Sequence, residues 1–209
     1  MYYLLSSIIG YLLGSIPTGY LLLKRKGINI LNEGSGNVGA MNSYDITNSK
    51  VTGLFVFAID AIKGLLSVYI TLLIFPLMFG YPAIALISAV ISHCYNPWLK
   101  FKGGRGLSTS FGGTLLIAPF IPTIWLTTWI VVYLIKRNIL LGNVLANFLS
   151  IVLILSFPEI AFKYSFPKAE SISALMFFSS TILIIIFIKH IDQLIDQLKQ
   201  FNFIKKEDL

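Results

Sequence analysis

The sequence predicts an all-α, polytopic integral membrane protein with seven transmembrane helices, its N-terminus outside and its C-terminus in the cytoplasm. Three observations predict it. Of 209 residues, 56% are hydrophobic and only 12% are charged, about half the charged share of a soluble domain and too little to clothe a core of this size. The apolar residues fall in blocks rather than in one-sided stripes, as they do where lipid is the solvent. The basic residues gather in alternate connecting segments, which orients the chain in a bilayer.

Taken in order, the predicted spans cover residues 2–23, 52–79, 81–98, 106–118, 120–136, 139–158 and 171–189. The first reads as a retained span rather than a signal peptide, because the basic run Lys24, Arg25, Lys26 follows the apolar block instead of preceding it. The second is long enough to tilt or kink, with Pro76 near its far end. The fourth and fifth are short and divide at Pro119 and Pro122; one tilted helix over 106–136 would give six spans instead. Charge decides for seven. Of the sixteen basic residues only Lys163 and Lys168 then fall outside and Lys63 within a span, which leaves thirteen inside. Residues 190–209 form a cytoplasmic tail whose apolar Ile191, Leu194, Ile195 and Leu198 have the spacing of a short interfacial helix. The whole chain is one membrane domain, residues 1–209.

Composition also excludes. The single cysteine, Cys94, allows neither an internal disulfide nor a cysteine-only metal cluster. The net charge of +7 is that of membrane orientation rather than of a nucleic-acid partner, since the cations sit in short loops between apolar blocks. Histidine, cysteine and acidic residues are too scattered for a metal site.

Two loops are out of character for connectors. The first runs Asn32, Glu33, Gly34, Ser35, Gly36, Asn37, Val38, Gly39, Ala40, Met41, Asn42. Its glycines let several backbone N–H groups turn toward one anion. The spacing is formally Gly-x-Gly-x-x-Gly, but a dinucleotide site needs a preceding strand, and a membrane span precedes this one. A tight turn with helix-packing glycines is the plainer alternative. The second runs from His93 to Thr109, with Lys100 and Lys102 leading into Gly103, Gly104, Arg105 and Gly106. Arg105 offers a planar fork of donors to a phosphate, and the helix opened by Ser108 and Thr109 adds free N–H groups. A basic loop that only sets orientation is the alternative here.

Asp60 and Lys63 stand three apart within the second span and share a helix face. Each left alone at mid-bilayer would cost roughly 2.5–3.5 kcal/mol, so both face protein or water, as a site or as a structural ion pair. His93 and His190 fall at predicted cytoplasmic ends of spans, level with the glycine loops, and Gln193 shares a helical turn with His190.

At these loops the sequence resembles the bacterial glycerol-3-phosphate acyltransferases that use acyl-phosphate, the PlsY type. The resemblance is carried by Tyr11 to Tyr20, by Gly34 to Asn42, by Asp60 to Gly64 and by His93 to Thr109. It implies a seven-helix fold with a cytoplasmic-face site in the bacterial inner membrane. It also implies transfer of an acyl group from acyl-phosphate to the 1-hydroxyl of sn-glycerol 3-phosphate, giving lysophosphatidate and phosphate. Neither acyl-CoA, nor a metal, nor any cofactor is implied. The chain would act as a monomer. The family lacks the histidine-x4-aspartate motif of other glycerolipid acyltransferases, and here Pro97 follows His93 by four and Leu194 follows His190 by four.

Carried over by residue, Ser35, Arg105 and His190 are the expected catalytic groups. Gly34, Gly36, Asn37, Asn42, Asp60, Lys63, His93, Lys100, Lys102, Gly103, Gly104 and Gln193 are the expected substrate-binding ones. Ser35 and its glycines resemble the family's first phosphate loop. Arg105 stands where the family has a lysine, and Gln193 where it has an asparagine. The pattern is broken at Asp45, where the family carries a phosphate-contacting arginine, and at Ser92, which replaces a glycine. It is broken again at Leu140 to Asn143, where a serine-rich motif is expected. Three rivals stand beside the enzyme: a relative that binds or acts on another phosphorylated alcohol, a small anion transporter, and a structural subunit. The enzyme reading requires the glycine stretches near residues 36 and 104 to meet on one membrane face.

Overall fold

The computed structural model describes the backbone of residues 1–207 and the side chains of residues 1–191, 194 and 195. All regular structure among these residues is helical. Four stretches are long and apolar enough to cross a membrane: Tyr2–Lys24, Lys50–Ile74, Ile139–Ser156 and Ile172–Ile191.

The first of these is a broken helix rather than a continuous span. α1 (Tyr2–Gly14) ends at Ser15, and α2 (Thr18–Lys24) restarts after Pro17. Proline has no N–H to give and resists the helical interior, so the break leaves the Ser15 carbonyl without a backbone donor and turns the Ile16 carbonyl to the Thr18 N–H at 3.1 Å. A short helix, α3 (Ala40–Thr47), follows the first glycine loop. α4 (Lys50–Ile74) stops five residues earlier than the predicted 79, because Phe75 precedes Pro76 and takes an extended conformation. α5 (Gly80–Cys94) likewise ends before the predicted 98, and a 3-10 turn over Pro97–Leu99, capped by Asn96, follows it.

α6 (Leu107–Ile117) and α7 (Phe120–Lys136) are separate helices, not one over 106–136. α8 (Ile139–Ser156) fills the span predicted over 139–158, and the short α9 (Pro158–Lys163) follows it. α10 (Ile172–Glu207) continues through the predicted tail, so no separate helix begins at 190.

Packing follows small residues. α1 lies along α5, α4 along α6, and α8 between α7 and α10. Where α4 meets α6, a Cβ on Gly64 would strike the Thr109 carbonyl and one on Gly112 the Ala61 carbonyl, so the two backbones nearly touch. Close approach of this kind is how membrane helices gain contact where lipid offers no hydrophobic drive. The main core gathers α4, α5, α6, α7, α8 and α10 around Leu86, Phe178 and Ile182.

The two ends of the bundle differ. At one, Tyr2 and Tyr3 pack on Tyr81, the Gly80 N–H donates to Glu170, and the Phe166 N–H donates to the Ile117 carbonyl at 2.9 Å. The other end carries both glycine loops.

Candidate active site

The two loops meet. Asn37 donates from Nδ2 to the Gly103 carbonyl at 3.3 Å, and its Oδ1 accepts from the Gly39 N–H at 2.8 Å. Asn42 holds the first loop from within: its amide donates to the carbonyls of Asn37 (2.8 Å) and Glu33 (3.2 Å) and accepts from the Ser35 N–H at 2.9 Å. Gly34 and Gly36 take positive φ, of 55° and 67°, as the turn requires. The Ser35 side chain is exposed.

A cavity of about 350 Å³ opens beside this junction. Asn37, Asn42, Asp60, His93, Arg105 and His190 form its polar end, with Ser108 and Asn143. Beyond them it continues between Phe57, Phe111, Ile121, Trp125, Leu126 and Ile182. Phe57 and Leu126 remain 38% and 45% exposed, so this apolar limb opens on the lipid-facing surface.

Of the expected catalytic trio, Arg105 and His190 line the cavity and Ser35 does not. Nor do Gly34, Gly36, Lys63, Gly103 or Gly104. Lys100 and Lys102 are exposed on the second loop outside it, and the Gln193 side chain lies outside the described residues. Sequence reasoning gave no role to Thr18 or Asn96, and it read Ser108 only as part of a helix start and Asn143 only as a departure. Pro17, which breaks the first helix, was the signal for Thr18.

The wall beneath the polar end is a buried network on the break in the first helix. Lys63 is 3% exposed, and its ammonium donates to Asp60 Oδ1 at 2.8 Å, to the Ile16 carbonyl at 2.9 Å and to His93 Nδ1 at 2.8 Å. An ammonium has three donors and no acceptor, so Lys63 is fully spent. His93 Nδ1 must accept, which puts the imidazole proton of the neutral ring on Nε2. A Cβ on Gly104 would collide with that Nε2, so the second loop closes over His93 only as glycine. Thr18 Oγ1 donates to Asp60 Oδ1 at 2.9 Å. Asn96 Nδ2 donates to the Ser15 carbonyl at 2.6 Å, and Trp98 Nε1 to Ser15 Oγ at 3.1 Å.

Arg105 is placed differently. It precedes Gly106, whose φ of 87° turns the chain into α6, so the guanidinium and the first N–H groups of that helix share one end of the cavity. Burial pulls the Arg105 guanidinium below its ordinary pKa, while the exposed carboxylate of Asp45 pulls it back; it stays charged throughout the physiological range. His190, 1% exposed, donates from Nδ1 to the Ile186 carbonyl at 2.8 Å, which leaves Nε2 an acceptor on the neutral ring and a donor only when the ring is protonated. The positive charge of Arg105 bears on its ring. Donors at one end and an apolar limb at the other suit an anionic group carrying a hydrocarbon chain.

Comparison with known proteins agrees with that geometry. Residues 4–200 match the family model described as glycerol-3-phosphate acyltransferase. The chain is 35% identical over 159 residues to the glycerol-3-phosphate acyltransferase of Helicobacter pylori, covering 73% of this chain and 72% of that protein. It is 42% identical over 138 residues to that of Trichlorobacter lovleyi, 65% and 69% of the two chains. It superposes on crystal structures of PlsY (YgiH), an integral membrane glycerol 3-phosphate acyltransferase. For the glycerol 3-phosphate form the TM-score is 0.78 at 26% identity, over 96% of this chain and 94% of that one. For the lysophosphatidic acid form it is 0.76 at 25% identity, over 96% and 93%.

Proposed function

Since this chain belongs to the glycerol-3-phosphate acyltransferase family, we propose that it transfers an acyl group from acyl-phosphate to the 1-hydroxyl of sn-glycerol 3-phosphate, releasing lysophosphatidate and inorganic phosphate. The observation that carries this is the single cavity with two natures. Arg105 and His190 stand at one end, and an aromatic, lipid-facing limb at the other. Acyl-phosphate has the same division.

In this reading Arg105 and the start of α6 hold phosphate, with Ser35 closing on it from the first loop and His190 joining them as imidazolium once the dianion has drawn a proton onto its Nε2. Lys100 and Lys102, exposed beside the mouth, draw anionic substrate inward by long-range attraction. Asn37, Asn42, Gly34, Gly36, Gly103 and Gly104 shape the two loops rather than hold the ligand. Lys63 acts through its neighbours, fixing Asp60 and the tautomer of His93.

The donor is already activated, so the protein's work is positioning and charge stabilisation. The acceptor hydroxyl attacks the acyl carbon and the phosphate leaves with its bridging oxygen. The hydroxyl proton passes to a phosphate oxygen of the acceptor itself. Arg105, His93 Nε2–H and His190 as imidazolium offset the charge that builds on the leaving phosphate and the carbonyl oxygen. No cofactor is required.

We place the site at the cytoplasmic face of a bacterial inner membrane, on a monomer crossing it seven times from an external N-terminus. Support comes from the charge asymmetry and from both glycine loops and His190 meeting at one end of the bundle. Purified protein given acyl-phosphate and glycerol 3-phosphate should release phosphate and form lysophosphatidate in equal amounts. Acyl-CoA should not replace the donor. Turnover with acyl-CoA alone, or none with acyl-phosphate, would sink the reading.

A further inference from the structure

Among the described residues the cavity is lined by a single carboxylate, that of Asp60, and half of it is unused. Oδ1 accepts from Thr18 and from Lys63. Oδ2 is buried with no hydrogen-bond partner among the described residues, on a side chain 1% exposed that forms part of the cavity wall. A buried acceptor left unmade is costly, and native structures rarely tolerate one without a purpose.

The missing donor is not the phosphate. A phosphate carries no spare proton for it at neutral pH and would be repelled by a carboxylate. It is held instead by the cation of Arg105 and the N–H groups that open α6, elsewhere on the same wall. The donor is therefore a neutral O–H on the acceptor. Nor does Oδ2 suit the hydroxyl that reacts, which must give its proton away. Were Asp60 to take that proton, the ammonium of Lys63, 2.8 Å from Oδ1, would be left buried without its counter-ion. Oδ2 is built to receive a hydrogen bond from a group that keeps its hydrogen.

We propose that Oδ2 of Asp60 is the seat of the non-reacting 2-hydroxyl of the acceptor, so that this carboxylate makes the site selective for phosphorylated vicinal diols over phosphorylated simple alcohols. The proposal rests on the acyltransferase reading for its choice of acceptor. The position of the oxygen is set from two sides at once: by Thr18 at the break in the first helix, and by Lys63 one turn along α4, itself anchored to the Ile16 carbonyl of that break. A seat so fixed discriminates by geometry as well as by charge, because an analogue lacking the hydroxyl leaves a buried carboxylate oxygen unpaired.

The test compares glycerol 3-phosphate with 3-hydroxypropyl phosphate, which keeps the phosphate and the reacting primary hydroxyl and lacks the 2-hydroxyl. Dissociation constants by titration calorimetry and initial rates with acyl-phosphate are measured for the wild type and for Asp60→Asn. The wild type should prefer glycerol 3-phosphate about 10- to 100-fold, the value of a hydrogen bond to a charged group, chiefly through Kd and KM. Asp60→Asn should bring the ratio within about threefold, by weakening glycerol 3-phosphate rather than by improving the analogue. If that variant does not fold, Asp60→Asn with Lys63→Met, which leaves no unpaired buried charge, replaces it. Equal affinity of the wild type for both ligands, or a preference that survives in the variant, overturns the assignment. Binding selectivity that vanishes in the variant while neither ligand is acylated upholds the seat and rejects the acyltransferase reading alone.

Discussion

Lys63 and Arg105 stand at the same polar cavity and are built in opposite ways. Lys63, behind its wall, gives each of its three N–H bonds to a protein acceptor within 2.9 Å. Arg105, in the wall itself, makes no hydrogen bond among the described residues and feels the more distant charge of Asp45. Both are cations in a place where charge is expensive. What separates them is how much of each is left over. A saturated cation is part of the frame, whereas one with idle donors beside a cavity is poised for an anion from outside.

That contrast breaks first at the frame. Lys63→Met strands Asp60, and breaking a buried pair costs about 3–5 kcal/mol. The thermal unfolding midpoint of the detergent-purified protein should fall by roughly 6–20 °C for a chain of this size. A midpoint that does not move would make Lys63 a reagent. Arg105→Ala should do the reverse. Its unfolding midpoint should stay within about 2 °C, while kcat/KM for acyl transfer drops about 100- to 1,000-fold, as when a preorganised donor to a developing charge is lost. Parallel losses of stability and turnover would erase the distinction.

Asp45 sharpens the comparison from the other side. Its carboxylate offsets Arg105 where a second cation would reinforce it. Asp45→Arg should lower KM for glycerol 3-phosphate about 3- to 10-fold at low salt, with the gain shrinking as ionic strength rises. Initial rates at two salt concentrations check this. An unaltered KM would point to a different phosphorylated alcohol as the natural acceptor.

Much of this was legible in residue order. Lipid leaves no ambiguity about apolar blocks, and the helix over 120–136 has the bounds its composition predicts. The glycine loops announced themselves because glycine and arginine together are wasteful in a mere connector, and Asn37 does join them. The illegible part is the part that depends on meeting. Lys63 reads as a site residue until the Ile16 carbonyl is seen to accept one of its hydrogen bonds, and that carbonyl is turned out of the helical ladder only because the first helix breaks at Pro17. Ser35 reads as a hydroxyl aimed at phosphate, yet the described contact is its N–H on Asn42, with the side chain exposed. Asn143 lies at the cavity because α8 returns beside α10, a pairing that local spacing cannot disclose.

The gap between α1 and α2 also bears on how the chain is made. The peptide oxygen at residue 16 has the Thr18 N–H beside it, but that at residue 15 is claimed by the side chain at 96, so the opening segment enters the bilayer with a debt that only later synthesis can settle. Until the ribosome has produced the fifth helix and the turn after it, that stretch must keep company with water or with the insertion machinery. Partitioning into lipid and acquiring final form are thus separate events here, some eighty residues of translation apart.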